Sequence, residues 1–228
     1  MDEFHSIPLF HGLNASALTV LQQIAREKKV SEGAFFFMQG DTADRIFALT
    51  VGRVRLSQST MEGQQVLLRL IMPVTLFGVL ALSEGEVYPV SAEALEDSLA
   101  LTWIKADLMG VIKDSPQLAL NALKIMSGHV QEFQERYLQL ATERVERRLA
   151  RSLLRLASQF GRKVEDGVLI DLPLTRQDLA EMNGTTLFTV SRTLSRWETQ
   201  GLVLSGRERV VICFPHGLVR IAEDLNPD

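Results

Sequence analysis

The run LTRQDLAEMNGTTLFTVSRTLSRWETQGLV, Leu174 to Val203, constrains this chain more than any other segment, because it reads as two short helices joined by a tight turn. Thr175 can cap a first helix carrying Leu179, Ala180 and Met182. Gly184 supplies the small, φ-permissive residue for the turn, and Thr185 or Thr186 can cap a second helix. Along that second helix Leu187, Val190 and Leu194 recur at three and four residues and are expected to pack on the first. Phe188, Ser191, Arg192 and Ser195 repeat on the opposite stripe. An arginine on such an outward stripe can donate two parallel hydrogen bonds to guanine O6 and N7, the commonest specific contact in the major groove. The pattern predicts a DNA-reading helix-turn-helix.

After Trp197 and Gly201 the chain runs Leu202-Val203-Leu204, then Ser205-Gly206-Arg207-Glu208, then Val210-Val211-Ile212. This predicts a hairpin with a polar tip, a wing that brings Arg207 and Arg209 close enough to meet phosphates. A net charge of −4 looks wrong for such a reader until it is divided along the chain. Residues 1–144 hold 12 basic against 17 acidic side chains, and residues 145–228 hold 12 against 11, so any attraction to DNA must be local. No apolar stretch approaches a membrane span of roughly 18–20 residues, and the N-terminus, acidic at Asp2 and Glu3, lacks a signal-peptide n-region. A cytoplasmic protein without a membrane partner is expected. The single cysteine, Cys213, excludes an internal disulfide and a four-thiolate iron–sulfur cluster within one chain, and it is expected to be a buried, inert thiol.

The front half has β character. Gly33, Gly40, Gly52, Gly63 and Gly78 punctuate apolar stretches at Ala34 to Met38, Ile46 to Val51, Val54 to Leu56 and Val66 to Ile71, which predicts a small sandwich or roll. A leading helix over Ala15 to Arg26 is expected to cover one end through Leu18, Leu21 and Ile24. From Pro116, with Asp114 or Ser115 as cap, one long helix is predicted to about Ala141. Along it Leu123, Met126, Val130, Phe133, Tyr137 and Leu140 follow the alternating three and four spacing of a two-stranded coiled-coil seam. A homodimer is therefore expected, which would also pair two recognition helices on a palindrome. The fold class is α+β: an N-terminal β-roll of jelly-roll (double-stranded β-helix) type over residues 1–112, a dimerisation helix over 113–144 and a winged helix-turn-helix over 145–228.

With these parts in this order the chain resembles the Crp-Fnr family of bacterial transcription regulators over nearly its whole length. The matching residues are Gln39-Gly40-Asp41, Val51-Gly52-Arg53-Val54, Glu62-Gly63, the run Tyr88 to Leu95, Arg147-Arg148-Leu149-Ala150 and Leu174 to Ala180. The resemblance implies phosphate contacts from Arg176 and Thr189 and base contacts from Ser191 and Arg192, with Thr186, Leu187, Phe188, Ser195 and Arg207 at the same surface. It implies double-stranded DNA and RNA polymerase as partners, and an effector pocket around Phe77, Gly78, Val79, Tyr88, Met126 and His129.

Departures from the family pattern bear on the signal and the reader. Cyclic-nucleotide binders of the family carry Gly-Glu for the ribose and Arg-Ser for the cyclic phosphate. Here Gly78 is followed by Val79, and Tyr88-Pro89 stands in place of Arg-Ser. A buried phosphate without its guanidinium partner is left uncompensated, which argues against cyclic AMP. Haem or nitric-oxide sensing, a small organic ligand, or no ligand remain open. The imidazoles are His5, His11, His129 and His216, of which the first three are candidate haem ligands and His216 is expected to be solvated. On the recognition helix Phe188 replaces the family's glutamate, Leu187 stands where the cyclic-AMP branch has arginine, and Asn183 occupies a usually apolar position. A cupin-like metalloenzyme is excluded by the absence of histidine between Gly33 and Ile104, so no enzyme is expected. Two alternatives to the main reading are a cyclic-nucleotide-responsive regulator of the same family and a dimeric interaction module that does not read DNA.

Overall fold

The computed structural model describes residues 4–225 apart from 5, 62–64 and 84. His5 and the Glu62-Gly63 match lie outside the described residues. The contacts divide the chain into two compact units, Met1–Glu132 and Phe133–Asp228.

The first unit is built on two four-stranded antiparallel sheets. Strands β1 (Arg26–Val30), β3 (Arg45–Val51), β6 (Leu76–Phe77) and β8 (Ser98–Ile104) form one, in the order β1-β8-β3-β6. Strands β2 (Phe35–Phe37), β4 (Val54–Ser59), β5 (Gln65–Ile71) and β7 (Ser91–Ala94) form the other, in the order β2-β7-β4-β5. Neither sheet closes into a barrel. Alternating side chains from both enter one core, where Phe36 meets Phe77 edge-on at 5.2 Å and Phe47 stacks on Phe77 at 5.1 Å. Helix α1 (Ala15–Ile24), capped by Asn14, buries Leu21 and is tied to β8 by the Trp103 indole, whose Nε1 donates to the Leu21 carbonyl at 2.9 Å. The leading helix therefore stops at Ile24, and Arg26 begins β1, paired with Thr102. Helix α2 (Lys105–Asp114), not expected from the sequence, packs Leu108 and Val111 inward.

Helix α3 (Gln117–Thr142) is the long helix, beginning directly after Pro116. Its buried positions, Leu118 and Ala122, lie near its start. In the second unit, α4 (Val145–Phe160) turns Leu149, Leu153, Leu156 and Phe160 to an interior shared with α7 (Pro215–Glu223). The helix-turn-helix consists of α5 (Arg176–Met182) and α6 (Leu187–Thr199), followed by the wing strands β11 (Val203–Gly206) and β12 (Arg209–Ile212). A second hairpin, β9 (Gly161–Val164) with β10 (Gly167–Ile170), extends the wing to a four-stranded sheet ordered β11-β12-β10-β9. This hairpin is not expected from the sequence.

Candidate nucleic-acid interface and effector cavity

Local chemistry sets both helices of the reader. Thr175 and Asp178 form a reciprocal cap on α5: the Asp178 N–H donates to Thr175 Oγ1 at 3.0 Å, and the Thr175 N–H donates to Asp178 Oδ2 at 2.9 Å. Gly184 takes the turn at φ 56°, a left-handed conformation that favours glycine, and the terminal methyl of Leu140 lies close by. Thr186, of the two candidates, caps α6, accepting from the Thr189 N–H at 3.2 Å.

The exposed stripe of α6 carries Phe188, 73% exposed, with Arg192 and Ser195 exposed and Ser191 half-buried. The inner stripe differs from the expected one. Val190 and Leu194 are buried, joined by Thr193 and Trp197, whereas Leu187 is 48% exposed. Leu187 is the first residue of α6, just after the turn. It therefore joins Thr186, Thr189 and Phe188 at the outer end of the helix. Trp197 Nε1 donates to Glu146 Oε1 at 3.1 Å and Arg196 pairs with the same oxygen at 2.7 Å, so α6 is held to α4 by one carboxylate. The wing is secured from the same helix. Glu198 Oε1 accepts from the Ser205 N–H and hydroxyl at 2.8 and 2.6 Å, and Ser205 Oγ in turn accepts from Arg176 at 3.0 Å. Ser205 and Gly206 belong to β11 and not to the tip, which narrows to Arg207 and Glu208, with Glu208 at φ 55°. Thr175, Arg176, Gly206, Arg207 and Glu208 line one open concavity. Among the described residues Arg192 and Arg207 carry no ion pair, which leaves both guanidinium groups to an outside acceptor.

A buried arginine, Arg148 of the Arg147-Arg148-Leu149-Ala150 motif, supports the reader. Arg148 donates through Nε and one Nη to the Asn183 carbonyl, at 3.2 and 2.9 Å, and through the other Nη to the Glu143 carbonyl at 2.7 Å. Asn183 itself is buried, accepting from Ser152 Oγ at 2.9 Å and donating to the Leu179 carbonyl at 2.7 Å. The polar Asn183 in an apolar position is thus explained, since it and Arg148 satisfy the backbone where α5 ends. The signal available in the sequence was that Arg148 and Ser152 lie on the apolar stripe of α4 beside Leu149 and Leu153. Cys213 is half-buried, not enclosed as expected, because β12 ends before it, and burial still raises its thiol pKa.

On α3, Leu123, Val130, Phe133, Tyr137 and Leu140 of the expected seam are exposed, Phe133 at 68%. Met126 is half-buried and turns to the β-roll, and Leu140 lies against Gly184. In the first unit a cavity of about 170 Å³ is lined by Phe77, Gly78, Val79, Tyr88, Met126 and His129 together, with Phe37 and Arg69 among its other walls. Gly78 is left-handed, φ 74°, and in its tight setting a Cβ would stand 3.2 Å from the Arg45 carbonyl. Tyr88 stacks on Phe37 at 3.8 Å, and its hydroxyl donates to the Arg45 carbonyl at 2.6 Å and accepts from the Arg45 N–H at 3.2 Å. Burial pushes that hydroxyl up to about 12. His129 Nε2 meets the Arg69 guanidinium in a short contact, and Arg69 also reaches Glu132 at 3.5 Å. Burial first, then Arg69, lowers the His129 pKa, while Glu132 opposes the shift. His11 is exposed on the rim of an adjoining cleft, and His216 is exposed in the first turn of α7. Among the described residues no group of three or more His, Cys, Asp or Glu is placed to hold a metal ion, and no helix is long and apolar enough to cross a membrane.

A β-roll with an internal cavity, a long helix and a winged helix-turn-helix define a sensor-reader of the kind that regulates transcription. Residues 27–115 match the cyclic nucleotide-binding domain and residues 147–221 the Crp-like helix-turn-helix domain. The chain is 28% identical over 214 residues to the transcriptional activator protein FnrA of Stutzerimonas stutzeri, covering 92% of this chain and 86% of that one. It is 29% identical over 199 residues to the cyclic AMP receptor protein of Thermus thermophilus, covering 87% and 89%. FixK2 from Bradyrhizobium japonicum shares the fold, with a TM-score of 0.75 at 24% identity, covering 87% of this chain and 97% of that one. A CRP/FNR-family regulator from Thermus thermophilus superposes with a TM-score of 0.74 at 26% identity, covering 87% and 98%. The chain belongs to the Crp-Fnr family of transcription regulators.

Proposed function

We propose that the chain is a homodimer that binds a palindromic DNA site, with a non-nucleotide signal in the β-roll setting the spacing of its two recognition helices. The observation that carries the reading is the free Arg192 guanidinium on the exposed stripe of α6, beside a wing whose tip holds Arg207. In this reading Arg192 and Ser191 address bases. Arg176, Thr186, Thr189 and Arg207 address phosphates, and Leu187, Phe188 and Ser195 pack along the groove. The apolar row on α3 supports the dimer, since an unpartnered Phe133 and Tyr137 at coiled-coil spacing are costly to leave in water. RNA polymerase is a further partner, by likeness to the family. Residues 1–112, 113–144 and 145–228 then act as sensor, dimerisation helix and reader.

Val79 and Tyr88 speak against a cyclic nucleotide: both are buried in an apolar wall, and the Tyr88 hydroxyl is already committed to Arg45. A haem does not fit that cavity either. The cavity lies below the roughly 300–1,000 Å³ of drug-sized pockets, and the Nε2 lone pair of His129 is directed at Arg69 and not at an axial position. The test is selection of bound duplexes from a random pool by the full chain, with cyclic AMP added or omitted. A palindromic consensus unaffected by cyclic AMP is expected. An asymmetric site, or cyclic AMP dependence, would defeat the reading.

A further inference from the structure

The chemistry of the β-roll cavity is lopsided. Its walls include Phe37, Leu56, Phe77, Val79, Val90 and Met126, and the side chains lining it bring three strongly polar groups: Arg69, His129 and Tyr88. The Tyr88 hydroxyl is committed to the Arg45 backbone. Polar chemistry is therefore concentrated at one end, where Arg69 of β5 faces His129 and Glu132 of α3. The guanidinium has five N–H donors, and its ion pair with Glu132 is a single contact at 3.5 Å to a carboxylate that is 51% exposed. This geometry falls well short of a bidentate carboxylate pair. The volume, about 170 Å³, is close to that of an apolar cavity of roughly 150 Å³ that takes up one benzene ring. Outside the Arg69–His129 pair lies a cleft of about 450 Å³ bordered by His11, Asn121, Lys124 and Glu132, which brings one further cation, Lys124, to the same end.

We propose, building on the sensor reading above, that the signal is a small apolar carboxylic acid about the size of one aromatic ring. Its body fills the cavity, and its carboxylate takes Arg69 in a bidentate pair, displacing Glu132 and the His129 contact. Because those two residues stand on α3, the acid is bound best by the arrangement in which the long helix has released Arg69, which is the differential affinity that a switch requires. The test titrates full-length protein, without DNA, with benzoate, phenylacetate and isovalerate, using benzamide as neutral isostere and acetate as the charge without the body. Calorimetry and the rise in melting temperature are read together. At least one of the three acids is expected to bind saturably, with benzamide and acetate at least about tenfold weaker. Arg69→Gln should weaken the acid about tenfold or more, Arg69→Lys less, and Glu132→Gln should tighten it, while Val79→Phe, which fills the cavity, should abolish it. Circular dichroism confirms that each variant is folded. No binding by any of the acids at millimolar concentration, equal binding of benzamide, or an unchanged Arg69→Gln affinity would overturn the proposal. Duplex selection is an independent readout, so such a failure leaves the DNA-reading assignment standing, and loss of DNA binding leaves this one standing.

Discussion

Arg192, Arg176 and Arg148 are three arginines in one small domain, and their surroundings assign them three different tasks. Arg192 is exposed and has no ion pair among the described residues, so its donors remain available for a guanine edge. Arg192→Ala is expected to cost about 1–3 kcal/mol per half-site and to relax preference at one symmetric base pair. Arg176, half-buried and donating to Ser205, stands where α5 meets the wing. Arg176→Ala should weaken all sequences alike and lower the salt slope by roughly one unit per subunit. Binding-site selection with both variants at two salt concentrations separates the roles, and a changed consensus with Arg176→Ala alone would reverse them. Arg148 faces inward and satisfies two carbonyls, one at the end of α5 and one at Glu143. Arg148→Met should strand both and destabilise the reader by about 2–4 kcal/mol. Hydrogen exchange across 174–203 should rise sharply in that variant while exchange in 45–104 stays unchanged.

Helix α3 has one property that α1, α4 and α6 lack: its apolar stripe is mostly exposed. Among its large apolar residues Leu123, Val130, Phe133 and Tyr137 face solvent, whereas Leu118 and Ala122 are buried within the first unit. A surface of this kind does not stabilise the monomer, so substitutions on it should spare the fold and act on association alone. Phe133→Asp is expected to leave helical content unchanged and to produce monomers that no longer retain DNA, because a paired interface would enclose two unpaired carboxylates at a cost of several kcal/mol. Sedimentation equilibrium at micromolar concentration checks this, and a variant that stays dimeric would place the interface elsewhere. At the start of α6 the element sets the side chain's fate in a similar way. Leu187 has the spacing of a core residue, yet it is the first helical residue and stays half in water.

At the scale of the molecule, pH should report on the joint between β5 and α3. The His129 pKa lies below its ordinary 6.5, chiefly through burial and then through Arg69. The unfolded chain therefore takes up a proton that the folded one resists, and stability falls as pH drops below about 6.5 until the folded pKa is reached. His129→Gln should flatten that part of the profile, read as melting temperature between pH 7.5 and 5, and an unchanged slope would mean that the fold does not lower the His129 pKa. The sequence alone determined the order of the parts, the helix-turn-helix with its first cap at Thr175, the wing, the length of α3 and the glycine-punctuated strands, while the choice of Thr186 over Thr185 as the second cap came from the structure. These depend on contacts a few residues apart, where periodicity and capping chemistry are decisive. The tertiary structure decided what distant segments do to one another. It showed that β1 follows α1 after the single residue Ala25, that β9 and β10 complete the wing sheet, that Met126 turns inward from the seam, and that Arg148 and Asn183 interlock across 35 residues. It also brought Arg69 to His129 across 60 residues, and no local pattern carries that information, because such pairings depend on how two separately folded elements come to rest on each other.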